Sequence, residues 1–99
     1  MINQENLTYA ADTLRALAHP IRLAIINFID KKKRVNVNKI YNALKLEQSI
    51  TSQHLKILRT VGLVETTRDG KFIYYTVNYS KIEGVIKPLD GFFGSKNSL

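Results

Sequence analysis

The sequence predicts an α+β fold, mainly helical, in which a helix-turn-helix is followed by a β-hairpin and framed by one helix at either end. Three observations predict it. Across Gln48 to Val64, the run QSITSQHLKILRTVGLV, apolar Leu55, Leu58 and Val61 recur every three residues with Thr51 and Ile57 beside them. One helix face therefore sits on a core while Ser49, Ser52, Gln53 and Lys56 look outward. After Gly62 the pattern switches to period two through residues 63–77, with Asp69-Gly70 in the middle, the strongest short hairpin signal. Helical spacing then returns near both ends, over residues 3–18 and 80–93.

The first helix, Asn3 to Ala18, carries Leu7, Ala11, Leu14 and Ala18 on one stripe, with Ala10 and Leu17 next to it. His19-Pro20 ends it, because proline disfavours the helical region for its predecessor, and Pro20 suits the first turn of the next helix. That second helix, with Ile21, Leu23, Ile25, Ile26, Phe28 and Ile29, is apolar almost all round and reads as the buried centre. After the basic run KKKR at 31–34, a solvated loop within reach of a polyanion, Val35-Asn36-Val37 fits an edge strand. Asn38 is placed to cap a short helix over residues 39–44, with Ile40, Ala43 and Leu44 inward. Lys45-Leu46-Glu47 turns into the longer helix, about 49–61, capped by Gln48 or Ser49. A two-turn helix, a tight connection and a longer helix with a polar outer face form a helix-turn-helix.

The hairpin occupies about 63–77, with Arg68 and Lys71 at its tip. Tyr74 and Tyr75 alternate along its second strand, so one faces the core and the other solvent. In the last segment Ile82, Val85, Ile86, Leu89 and Phe93 keep helical spacing, while Gly84, Pro88 and Gly91 weaken it; a kink or an early end is expected near Lys87. Residues 94–99 read as a frayed end. There are no internal repeats and no dividing linker, so 1–99 reads as a single domain.

With 99 residues and 44% hydrophobic content, such a domain is close to the size at which a monomer is marginal, and pairing of two copies helps it. The net charge is +7, and all of it can be placed. Residues 31–71 hold ten basic groups against Glu47, Glu65 and Asp69, a balance of +7, whereas residues 1–30 balance to −1 and the remainder to +1. Concentrating cations around one helix builds a face for a polyanion. The outward residues of that helix suit duplex DNA: glutamine bonds adenine in a bidentate way, serine donates or accepts, and lysine holds a phosphate. Ile50 fits either the core or a thymine methyl, and Arg59 fits either a pair with Glu65 or a phosphate.

The residues just described resemble an ArsR/SmtB-type winged-helix repressor. The likeness is carried by LRALAHPIRLAIINFI at 14–29 and by SITSQHLKILRTVGLVETTRDGKFIYYTV at 49–77. It implies a winged helix-turn-helix whose terminal helices pair two copies through Leu7, Ala11, Leu14, Ile82, Val85, Ile86 and Leu89. It also implies base contacts from Gln48, Ser49, Ser52 and Gln53 on a palindromic operator. Lys56, Arg68 and Lys71 supply the phosphate contacts. Members that sense metals or persulfides use cysteine pairs, or aspartate and histidine pairs on the last helix. This chain has no cysteine, carries Val35-Asn36-Val37-Asn38 where the soft-metal cysteines would stand, and has Glu83 and Asp90 but no histidine on the last helix. No sensor of those kinds, no metal and no cofactor is therefore expected, and the inducing signal stays unassigned.

Other classes of function find little support. His19 and His54 lie in different helices and fall short of the three or four ligands of a transition-metal site, so they read as packing and junction residues. No nucleophile–base spacing, glycine-rich phosphate loop or paired carboxylates indicate an enzyme. Apolar runs are far shorter than the roughly 20 residues that cross a bilayer, and Met1 to Asn6 lacks a secretion signal, so the cytoplasm is the expected location. The alternative is a winged-helix interaction module whose basic face meets an acidic protein partner.

Overall fold

The computed structural model describes the backbone of residues 4–92 and the side chains of residues 8–85. The chain runs α1 (Gln4–Ala18), α2 (Pro20–Lys32), β1 (Val35–Asn36), α3 (Val37–Leu44), α4 (Gln48–Thr60), β2 (Val64–Asp69), β3 (Phe72–Val77) and α5 (Tyr79–Phe92). The predicted order of elements is thus reproduced, and the expected frayed end at 94–99 lies outside the described residues.

The core is built from Ala16 of α1, Ile25, Ile26 and Ile29 of α2, Val35 of β1, Ile40 of α3, Leu55 and Leu58 of α4, and Leu63, Val64 and Val77 at the base of the hairpin. Two threonines are buried with them. Thr13 Oγ1 donates to the Tyr9 carbonyl and Thr51 Oγ1 to the Glu47 carbonyl, each at 2.9 Å, so neither hydroxyl costs an unmade hydrogen bond. In α1 the buried face is therefore Thr13 and Ala16 with Leu17, while Ala11 and Leu14 are half-buried and Ala18 is exposed. Helix α2 is less enclosed than its composition suggests. Leu23 is 48% exposed because only the face bearing Ile25, Ile26 and Ile29 meets α3, α4 and the sheet.

Local chemistry sets the boundaries. His19 caps α2, its Nδ1 accepting from the Ile21 amide at 3.2 Å, and Pro20 occupies the first turn. Asn36, rather than Asn38, caps α3: its Oδ1 accepts from the Lys39 amide at 3.0 Å, so the helix starts two residues earlier than expected and Ala43 turns outward. Glu47 precedes α4 without a side-chain cap, in place of Gln48 or Ser49. The far end of α4 closes as a Schellman motif. Leu63 N–H donates to the Leu58 carbonyl at 2.9 Å and Gly62 N–H to the Arg59 carbonyl at 3.0 Å, with Gly62 at φ +83° and the fully buried Leu58 and Leu63 as the accompanying apolar pair.

The sheet is antiparallel in the order β1-β3-β2, so β1 is an edge strand as expected. Asp69 pairs with Phe72, which leaves Gly70 and Lys71 as a two-residue loop in which only Gly70 has positive φ, the pattern of a type II′ turn. Tyr75 packs against the core, and Tyr74, the other strand tyrosine, is covered by the Arg34 guanidinium at 3.8 Å. Helix α5 continues through Lys87 and Pro88 to Phe92, so the expected early end does not occur. It packs on α1. No helix among the described residues is long and apolar enough to cross a membrane.

Candidate nucleic-acid interface

Helix α4 is amphipathic because Thr51, Leu55 and Leu58 are drawn into the core, and that rotation decides what remains outside. Gln48, Ser49, Ser52, Gln53 and Lys56 are all exposed, as their spacing predicts. Ile57, expected beside the apolar stripe, is exposed as well, 38% of its surface reaching solvent. Gln48, Ser49 and Ser52 line an open cleft of about 780 Å³ with Tyr41, Asn42, Leu46 and Glu47, between the two helices of the helix-turn-helix. Ser52 also belongs to a groove of about 340 Å³ with Lys56, Arg59, Thr60 and Tyr75, between α4 and the sheet. One side chain therefore joins the two depressions, and a polar surface runs along α4 from its first turn to its last.

Arg59, Thr60, Tyr41 and Asn42 complete this surface. Arg59 follows Lys56 by three residues and was legible from helical spacing; among the described residues neither cation pairs with an acid, so the alternative of an Arg59–Glu65 pair drops out. Tyr41 and Asn42 come from α3, and nothing in the α4 run points to them. The turn between the helices is tight because Lys45 adopts a left-handed conformation, φ 57° and ψ 47°, letting Leu46 N–H return to the Tyr41 carbonyl at 2.9 Å.

At the hairpin tip Arg68 and Lys71 are exposed. The Arg68 Nε folds back to donate to the Gly70 carbonyl at 3.2 Å, which steadies the turn. The basic run at 31–34 is divided in its duties. Lys31 and Lys32 end α2, Lys33 reaches Asp30 at 3.5 Å, and Arg34 pairs with Asp69 at 3.2 Å. Of the residues implied for pairing two copies, Ala11, Leu14, Ile82 and Val85 are half-buried on α1 and α5; the side chains of Leu7, Ile86 and Leu89 lie outside the described residues.

Both histidines serve the frame. His54 Nδ1 accepts from Arg22 Nε at 3.2 Å, and its ring lies 4.7 Å from that of His19, tying α4 to the start of α2. Burial, and then the neighbouring His19 and Arg22, hold the His54 pKa below the ordinary imidazole value. Neutral His54 is the form that accepts, so its contribution to stability is complete above about pH 6.5 and is lost as pH falls through the lower folded-state pKa. Urea denaturation across pH 5–8 is expected to show this loss in the wild type and a shallower one in His54→Gln, whose amide oxygen can accept from Arg22 without titrating. Equal pH dependence in the two proteins would remove His54 as its source. Among the described residues no group of three or more histidine, cysteine, aspartate or glutamate side chains is placed to hold a metal ion.

Comparison with known proteins agrees with this geometry. The family model for the bacterial regulatory proteins of the arsR family matches residues 19–66, from the His19 cap to the first hairpin strand. The transcriptional repressor PagR of Bacillus anthracis is 45% identical over 80 residues, covering 81% of this chain and 80% of PagR. Its crystal structure superposes with a TM-score of 0.73 over 88% of this chain and 99% of that one. The transcriptional repressor SmtB of Mycobacterium tuberculosis is 40% identical over 73% of this chain, which spans 53% of SmtB. The transcriptional activator HlyU of Vibrio cholerae is 30% identical over 95% of this chain and 86% of its own length. The chain therefore belongs to the ArsR family: it is a winged helix-turn-helix, DNA-binding transcriptional regulator, not an enzyme.

Proposed function

We propose that this chain acts in the cytoplasm, as one domain, as a homodimeric repressor that selects a pseudo-palindromic operator and carries no metal or thiol sensor of the known kinds. The observation that carries the reading is the polar strip of α4 from Gln48 and Ser49 through Ser52 to Lys56 and Arg59, with both cations free of acidic partners among the described residues. Gln48, Ser49, Ser52 and Gln53 read base edges, while Lys56, Arg59, Arg68 and Lys71 hold phosphates. Pairing through α1 and α5 is supported by the half-covered apolar positions Ala11, Leu14, Ile82 and Val85, which a second copy would close. With Leu7, Ile86 and Leu89, they set two α4 helices at half-sites about 10 bp apart or a multiple of that. Repression follows by occupation of promoter DNA, and PagR and SmtB, both named repressors, support that sign over the activator HlyU. The absence of cysteine supports a signal other than thiol chemistry.

Selection of bound duplexes from a random library, with sedimentation of the free protein at micromolar concentration, tests the proposal. A two-fold symmetric site and a dimer are expected; binding governed by charge alone, or a monomer, overturns it and favours an interaction module with an acidic partner. On the selected operator, Gln53→Ala is expected to relax base choice at one position by about 1–3 kcal/mol. Lys71→Ala should instead weaken binding to every sequence and lower the salt slope by about one.

A further inference from the structure

The outer half of the wing has little to hold it. Strand β1 pairs with β3 only at Val35–Tyr75 and Asn36–Tyr74, so Arg68, Asp69, Phe72 and Ile73 form a ribbon of two strands beyond the edge of the three-stranded sheet. Phe72 is 49% and Ile73 50% exposed, so neither face of that ribbon is buried in the core. A two-stranded ribbon without a buried face is marginal in water.

One side chain bridges the gap. Arg34, directly before β1, lays its guanidinium over the Tyr74 ring at 3.8 Å and donates from an Nη to Asp69 at 3.2 Å. By strand alternation Tyr74, Phe72 and their partners Thr67 and Asp69 share one face, and the Phe72 and Tyr74 rings lie 6.3 Å apart. The guanidinium therefore reaches from the edge strand, across a ring on the middle strand, to a carboxylate on the far strand. This uses the two properties that distinguish arginine from lysine, a planar face that stacks and a donor fork that meets a carboxylate. Asp69 adjoins the tip loop, Gly70 and Lys71, and its charge would oppose a phosphate unless it were paired.

Resting on the DNA-binding reading above, we propose that Arg34 is a positioning residue for the wing: its clamp on Tyr74 and Asp69 fixes the outer ribbon, so that Arg68 and Lys71 meet the phosphates in register. Arg34 acts through the tip and holds no phosphate itself.

The test compares Asp69→Asn, Arg34→Gln and Arg34→Lys, each alone and with Lys71→Ala. Backbone ¹⁵N relaxation over residues 66–73 is measured in the free protein, and operator binding across a salt series. Both side chains are well exposed, so the variants keep the fold, which thermal melting verifies. Asp69→Asn removes one negative charge beside the tip, yet the clamp predicts a more mobile wing and binding weaker by up to about fivefold, the scale of an exposed ion pair. Arg34→Lys should lose nearly as much as Arg34→Gln, and either loss should be smaller in the Lys71→Ala background, where only Arg68 is left for the clamp to position. Tighter binding by Asp69→Asn with an unchanged wing overturns the proposal, as Asp69 would then merely repel DNA. If the wild type selects no operator, the functional reading fails; relaxation in the free protein still decides the clamp, a looser wing supporting it and an unaltered wing overturning it.

Discussion

Raising salt from about 50 to about 200 mM is expected to weaken binding to operator DNA by roughly 10³- to 10⁵-fold, the range for six to ten phosphate contacts. Four cations per protomer, Lys56, Arg59, Arg68 and Lys71, have no acidic partner among the described residues, which makes eight in the proposed dimer. Arg34 and Lys33 are left out because Asp69 and Asp30 already occupy them. Each neutralised phosphate releases condensed counterions, so a log–log plot of affinity against salt should fall with a slope of about −7. Fluorescence anisotropy with a labelled operator measures it. A slope near −2 would mean that most of these side chains never reach the backbone, and the interface would have to be redrawn around fewer cations.

Replacing Leu58 with alanine is expected to cost about 2–5 kcal/mol of stability, a large part of the roughly 5–15 kcal/mol that holds a domain of this size. Leu58 is fully buried and packs, with Leu63, behind the Schellman closure of α4, a place where the backbone has little room to collapse onto a cavity. Its neighbour Ile57 is half exposed, and Ile57→Ala should cost well under half as much. Urea midpoints of the two variants provide the comparison. Equal losses would show that α4 is rotated from the orientation described, and with it the set of side chains facing DNA.

Several parts of this molecule were legible before any coordinates, for identifiable reasons. Pro20, Gly62 and Asp69-Gly70 are backbone constraints that act within a few residues, and each stands where an element starts, stops or reverses. The three-residue spacing of Leu55 and Leu58 likewise fixes which side of α4 is left for a polar partner. Other features have no local signal. Lys33 and Lys45 take positive φ without the glycine that usually marks it, each at a helix end closed by backbone hydrogen bonds, from Lys33 N–H to the Ile29 carbonyl and from Leu46 N–H to the Tyr41 carbonyl. Thr13 counts as polar in any pattern, yet it satisfies its hydroxyl on the preceding helical turn and enters the core. Leu23 counts as core but is left 48% exposed.

The sequence by itself determined the order of helices and strands, the amphipathic face of α4 and the concentration of cations around it, since all three follow from residue type and short-range spacing. Only the tertiary structure decided which distant groups meet: Arg34 with Asp69 across 35 positions, His54 with Arg22 across 32, and Ser52 of α4 with Tyr75 of the sheet in one groove. Periodicity records that a face is apolar or charged. What that face touches depends on how the chain closes on itself, and a pattern with a period of two or three and a half residues carries no such information.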